Sequence, residues 1–253
     1  MTTPPPARDT SAYSEEQFHG NYPPGMEHHY WLQARCILIA DRLKRFRTTP
    51  KNILDIGCGP GFTVSHLVSK GYNCRGVDLG TPDLPEKIRD RVFTGMDFQK
   101  LDPTLLSEID TVLILDVVEH LHDPVGFLSD VRRYLPNLRN AIITVPARQE
   151  LWSNYDVYFG HVLRYEREQF RELLTQCELP PKELRYIFHT LYLPMRLALA
   201  LGMRRKQQNT RPRYIPLHTL AAHAIYLEAK LLPGSWRGGS LLATVELPGK
   251  PPL

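Results

Sequence analysis

Four carboxylates stand at the ends of short apolar runs, and this placement gives them chemical potential: Asp55 after Ile53-Leu54, Asp78 after Gly76-Val77, Asp97 in the run from Val92, and Asp116 after Val112-Leu113-Ile114-Leu115. Asp55 leads into Ile56-Gly57-Cys58-Gly59-Pro60-Gly61-Phe62-Thr63. Gly57 and Gly59 put no Cβ between the backbone and a ligand, and Gly61 allows the next helix to pack closely. An acid about 20 residues beyond such a loop accepts hydrogen bonds from ribose hydroxyls, the role open to Asp78. Loop and acid together describe a site for a nucleotide-like ligand. Two imidazoles can move protons beside it, His120 in Asp116-Val117-Val118-Glu119-His120 and His161 in Gly160-His161, because an unperturbed histidine titrates at about 6.5.

The acids need strands to hold them. Runs at 53–56, 73–79, 92–98, 110–115 and 141–146 read as strands, and the helical patterns between them imply right-handed crossovers and a mostly parallel sheet. Tyr30 to Phe46 carries apolar residues at helical spacing, with Trp31, Ala34, Ile37, Leu38, Ala40 and Leu43 on one stripe, and reads as a helix over the ligand mouth. Glu166 to Cys177 is a further helix, and 184–188 and 240–247 are further strands. Between those two strands lie about 50 residues. They contain an apolar stretch from Leu191 to Met203, the basic flank Arg204-Arg205-Lys206 and a second helical pattern from Leu217 to Leu232.

Phe62 disfavours a dinucleotide, because the G-x-G-x-x-G fingerprint needs a small residue there. The loop has the D-x-G-x-G-x-G form instead, and Asp116-Val117-Val118-Glu119-His120-Leu121-His122-Asp123-Pro124 resembles the "D-V-L-E-H-L-x-D-P" signature that accompanies it. On these motifs, in this order, the chain resembles the class I S-adenosylmethionine (SAM) methyltransferases. The resemblance implies an α/β, Rossmann-like sheet of seven strands, mostly parallel with an antiparallel last strand, helices on both faces and a helical insertion before that strand. It implies SAM as cofactor, held by Arg35, Asp55, Gly57, Cys58, Gly59, Asp78, Leu79, Asp97, Phe98, Leu115 and Asp116. Asp97 would accept from the adenine amine with Phe98 on the ring face, and Arg35, in a stretch similar to "H-x-W-x-x-x-R", would clamp the SAM carboxylate as a bidentate pair. The other reading of Arg35 is a surface arginine on an amphipathic helix.

The run "P-A…L-W-S-x-x-D…G-H-x-x-R-Y" from Pro146 to Tyr165 resembles a subset of these enzymes associated with glycan, lipid-linked or secondary-metabolite pathways, which implies acceptor contacts from Trp152, Asp156, Arg164 and Tyr165. The alternative is a loop knitted together by Asp156–Arg164 pairing. His120, beside the methyl donor, is the first candidate base and His161 the second. Some ubiquinone-pathway methyltransferases, which resemble this chain at the same segment, hold a divalent ion on an acid-x-x-E-H set. Here the first acid is the shorter Asp116, and the reading taken is metal-free, with Asp116 and Glu119 returning to one face of a helix start.

Composition bounds the rest. A chain of 253 residues fits one α/β domain with an insertion, and a formal net charge of +4 without an aromatic-interleaved basic stripe gives no support to a nucleic-acid binder. Cys36, Cys58, Cys74 and Cys177 form no C-x-x-C pair and read as reduced, which suggests a cytoplasmic enzyme. The organisation expected is a disordered lead over 1–25, a core of 26–189 with 238–248, and an insertion at 190–237 serving as lid, dimer seam or membrane-interface element. The partners expected are a small-molecule, glycan or lipid-linked acceptor, a second copy of the chain, or the inner face of a membrane.

Overall fold

In the computed structural model, which describes residue 20, residues 22–204 and residues 211–248, seven strands form one sheet in the order β3-β2-β1-β4-β5-β7-β6. They are β1 (Asn52–Ile56), β2 (Asn73–Asp78), β3 (Val92–Thr94), β4 (Thr111–Leu115), β5 (Asn140–Pro146), β6 (Pro181–Ile187) and β7 (Ser240–Glu246). The pairings from β3 across to β5 are parallel, and β7 runs antiparallel between β5 and β6. Expectation and architecture agree on sheet type and on the antiparallel strand. Every residue of Thr111–Leu115 is buried, because helices cover both faces and no strand position is left for water.

The helices are α1 (Tyr30–Leu43), α2 (Phe62–Ser69), α3 (Pro103–Glu108), α4 (Pro124–Tyr134), α5 (Asn154–Tyr158), α6 (Arg167–Gln176), α7 (His189–Ala200) and α8 (Ile215–Leu231). Local chemistry sets several starts. Asp102 and Asp123 cap α3 and α4 by accepting from Thr104 N and Gly126 N, each with proline in the first turn. The strand order reverses between β1 and β4, so the crevice above their carboxyl ends is where a ligand sits in such a sheet.

The insertion is only half separate. Ala222, Ile225 and Ala229 of α8 are buried in the same cluster as Leu38 and Ile39 of α1 and Ile187 of β6, and the Tyr226 hydroxyl donates to Asp41 at 3.0 Å. α8 therefore completes one layer of the core, while α7 buries only His189 and Tyr192. The lead also ends earlier than expected, since Tyr22 packs edge-on to Phe62 at 5.8 Å and Pro23 O accepts from Met26 N. Residues 1–19 and the flank pair Arg205-Lys206 lie outside the described residues.

α7 is fastened by one carboxylate. Glu228, 7% exposed, accepts from His189 N at 2.7 Å and Thr190 N at 2.8 Å, satisfying two of the orphan donors at the start of the helix. Glu228→Ala is expected to lower unfolding free energy by about 1.5–3 kcal/mol, the scale for hydrogen bonds to a charged group. Urea denaturation reads it, and a midpoint equal to that of the unaltered protein would remove the fastening role.

Candidate active site

The glycine loop leaves β1 through backbone that an L side chain resists: Gly57 has φ +74°, and a Cβ there would come within 2.5 Å of the Val117 side chain. Gly57 is thus required by Val117, which follows β4. Gly61, at φ +71°, faces Ile88 and Val92, and a Cβ there would come within 2.5 Å of the Ile88 side chain. Gly59 N donates to Asp78 Oδ2 at 2.7 Å and Gly80 N to Oδ1 at 2.8 Å, so both oxygens of Asp78 are aimed while retaining lone pairs for further donors. Burial pushes the Asp78 carboxyl up, and those two backbone donors oppose the shift.

Asp55 is 1% exposed and its Oδ1 has no partner, so burial pushes its carboxyl up to about 7, with Arg35 opposing and Asp78 adding to the shift. Asp97 caps a short turn by accepting from Gln99 N at 3.1 Å. Phe98 lines the cavity but is almost wholly buried. It is 2% exposed and packs edge-on to Phe127 at 5.8 Å and Tyr134 at 6.1 Å, and Leu79 and Met96 line the cavity beside it.

Arg35 is neither a surface residue nor wholly available. Its Nη1 donates to Asp116 Oδ2 at 2.7 Å, its guanidinium lies 4.7 Å above the Trp31 ring, and its buried Nε has no partner. Asp116 also accepts from Thr144 Oγ1 at 3.1 Å and is held at φ +58°, a left-handed conformation that aspartate tolerates better than most side chains. Residues 118–120 form a single 3-10 turn, and the α-helix begins only at Pro124, so the helix-start geometry expected for Asp116 and Glu119 is not formed. Asp116 is engaged by Arg35 and Thr144.

The groups that do converge on Glu119 are His120 and His161. One ligand-type atom from each of the three lies within 4.8 Å of the others, and the two imidazole rings meet edge-on at 4.7 Å. Glu119 is fully buried, neither oxygen has a hydrogen-bond partner, and Oε1 lies 4.0 Å from His120 Nε2. Burial and then the nearby Asp116 push its carboxyl well above the usual range. His120 departs from the unperturbed imidazole expected. Burial, then the neighbouring His161, depress it to about 3, against the opposing pull of the Gly160 and Phe159 backbone.

His161 has a different setting. Its Nδ1 lies 2.9 Å from Asp156 Oδ1, and Arg164 donates to both oxygens of Asp156 at 2.7 and 3.2 Å. Ser153 donates to Asp156 through its backbone N at 2.8 Å and through Oγ at 2.9 Å. Burial opposes the Asp156 charge, but the hydrogen bonds from His161 and Arg164 outweigh it and hold the carboxyl well below the usual range. An ionised Asp156 fixes the proton of His161 on Nδ1 and leaves Nε2 with its lone pair. The Asp156–Arg164 pairing is the loop-knitting alternative read from the sequence.

These elements enclose one cavity of about 980 Å³. Of the expected cofactor residues, Arg35, Asp55, Gly57, Cys58, Gly59, Asp78, Leu79, Asp97, Phe98, Leu115 and Asp116 all reach its wall. So do His120, His161 and Arg164. Asp156, Trp152 and Tyr165 do not line it: Asp156 is consumed behind His161, and Tyr165, 2% exposed, packs at a tilt against Phe170 with ring centroids 5.2 Å apart. The acceptor side is lined instead by Leu151, Ser153, Tyr155 and Phe159, with Leu191, Met195 and Ala198 from α7. Tyr22, beside Gly59, was legible only as part of a proline-rich lead.

The donor set fits SAM on three observations: a backbone cradle at Gly57 and Gly59, a carboxylate aimed with open lone pairs at Asp78, and the orphaned Oδ1 of Asp55, which suits a cationic group. The family model of the methyltransferase domain matches residues 29–190. The chain belongs to the class I SAM-dependent methyltransferases.

This methyltransferase is 31% identical to the norajmaline N-methyltransferase of Rauvolfia serpentina over 97 residues, 33% of the chain and 32% of that enzyme. It is 24% identical to the ubiquinone biosynthesis O-methyltransferase of Cronobacter sakazakii over 172 residues, 60% of the chain and 71% of the relative. The chain spans roughly a third of the length of the norajmaline enzyme and about two-fifths or less of several bacterial ubiquinone enzymes that it matches. Among solved structures, the 1,6-didemethyltoxoflavin-N1-methyltransferase of Burkholderia thailandensis, with bound 1,6-didemethyltoxoflavin and S-adenosylhomocysteine, has a TM-score of 0.50 at 18% identity. That match covers 88% of this chain and 79% of that one. N- and O-methyltransferases both occur among the relatives.

Proposed function

We propose that this methyltransferase moves a methyl group from SAM to an oxygen or nitrogen of a small acceptor with an apolar body, a class that includes lipid-linked molecules. The observation that carries the reading is the placement of His161, oriented by Asp156, in the same cavity as the carboxylates of the glycine loop. SAM, when bound, supplies an electrophilic methyl carbon on a sulfonium, open to in-line displacement.

The chain's own residues do the rest. Asp78 accepts from ribose hydroxyls, Asp97 from the adenine amine, Asp55 and Arg35 meet the charged amino-acid end, and the backbone at Gly57 and Gly59 permits the close approach. His161 takes the proton of an arriving hydroxyl or ammonium on Nε2, and Asp156 stabilises the imidazolium that results. The leucines and aromatics opposite exclude water from the acceptor, and positioning supplies much of the rate. Labelled SAM incubated with cell extracts, read by mass shift, tests the reading. Failure to transfer label to any product while S-adenosylhomocysteine still binds would favour a SAM-binding protein without turnover.

Asp55 gives the cofactor step a pH signature. In the unliganded protein it holds a proton up to about pH 7. A cationic ammonium beside it favours the ionised form, so binding releases that proton and affinity rises with pH through about 7, levelling above it. Calorimetry of S-adenosylhomocysteine in two buffers of different ionisation enthalpy is expected to show proton release at pH 6.5 and its loss in Asp55→Asn. Equal heats in both buffers for the unaltered protein would reject the pairing.

A further inference from the structure

α7 is apolar on both faces and buries almost nothing. Its inner side, Leu191, Met195 and Ala198, lines the cavity, and its outer side carries Leu193, Leu197 and Leu201 at four-residue steps. α8, packed beside it, turns Leu217, Leu220, Leu227 and Leu231 outward. These seven leucines are 52–78% exposed. A helix apolar all round is ordinarily covered, and a lid role accounts only for the inner face of α7.

The charge around these stripes identifies the cover. Between Glu183 and Glu246 the sequence holds nine Lys and Arg residues and a single acid, Glu228, which is buried on the start of α7. Arg196, Arg204, Arg211, Arg213 and Lys230 are all exposed and none meets an exposed acid of its own segment. A second copy docked through this face by a twofold axis would bring two basic faces together, with no exposed acid of this segment to pair them. Among the described residues no helix is long and apolar enough to cross a membrane.

We propose that the α7–α8 face docks on an anionic lipid surface, with the leucines among the acyl chains and the arginines at the headgroups. α7 then stands between the bilayer and the acceptor cavity, which deepens the functional reading above by making the acceptor an amphiphile drawn from the lipid phase.

Flotation with vesicles of phosphatidylglycerol and phosphatidylcholine tests the docking without requiring turnover. The protein is expected to float with anionic vesicles at low salt, to float at least about tenfold less with phosphatidylcholine alone, and to be released by about 0.5 M salt. Leu193→Glu combined with Leu197→Glu is expected to reduce flotation at least about tenfold. Both positions are exposed, so thermal melting and S-adenosylhomocysteine affinity should stay at their unaltered values. Lack of anionic binding at low salt, equal flotation by the double variant, or a dimer dissociated by that variant without vesicle association would each overturn the proposal. Vesicle binding by a protein that fails to bind S-adenosylhomocysteine would uphold the docking and reject the methyl-transfer reading instead.

Discussion

His161→Ala is expected to lower kcat by about 10²–10⁴-fold, the range over which a positioned general base contributes, or about 3–5.5 kcal/mol of transition-state stabilisation. The reason is geometric. Asp156 lies 2.9 Å from Nδ1, is itself held by Arg164 and Ser153, and so commits the ring to the tautomer whose Nε2 accepts. Asp156→Asn should reproduce much of the loss by releasing that tautomer while leaving S-adenosylhomocysteine affinity intact. His120→Gln, by contrast, replaces an imidazole depressed to about 3, and kcat is expected to stay within about tenfold. Steady-state transfer of labelled methyl to the identified acceptor measures all three. A larger loss in the His120 variant than in the His161 variant would reverse the assignment. A loss on chelation, recovered with a divalent ion, would shift the role of Glu119, His120 and His161 to holding that ion, since their ligand atoms lie within 4.8 Å of one another.

Asp78→Ala is expected to weaken S-adenosylhomocysteine binding by about 1.5–3 kcal/mol, roughly 10- to 150-fold. Two effects add. The ribose hydroxyls lose a charged acceptor, and Gly59 N and Gly80 N lose the oxygens at 2.7 and 2.8 Å that fix the loop. Asp78→Asn should fall between the unaltered protein and the alanine variant, because an amide keeps one acceptor oxygen for the loop but gives up the charge and sets its nitrogen against the other backbone donor. Calorimetry at fixed salt decides the matter, and an unchanged dissociation constant in the alanine variant would remove Asp78 from the cofactor contacts.

Much of the fold was legible because it is local. Apolar runs of strand length and acids at strand ends are properties of a few consecutive residues, and their order along the chain marks β1 to β5. Phe62 alone was enough to disfavour the dinucleotide form of the loop. The acceptor side was legible in part, since the sequence offered His161, Asp156 and Arg164 as polar residues on one loop without saying which faces the cavity and which stands behind. Only packing in three dimensions decides that: Asp156 is fully buried because three neighbours satisfy it, and Tyr165 turns toward Phe170 because its ring fills the core.

The same holds for pairs distant in sequence. Arg35 meets Asp116 across 81 residues, α8 completes the layer over α1, and Glu228 fastens a helix 39 residues before it. Periodicity and capping are set by neighbours within a turn or a strand and so are written in the sequence. The burial that drives His120 down and Glu119 up comes from elements brought together by the sheet, and only the tertiary structure determines it.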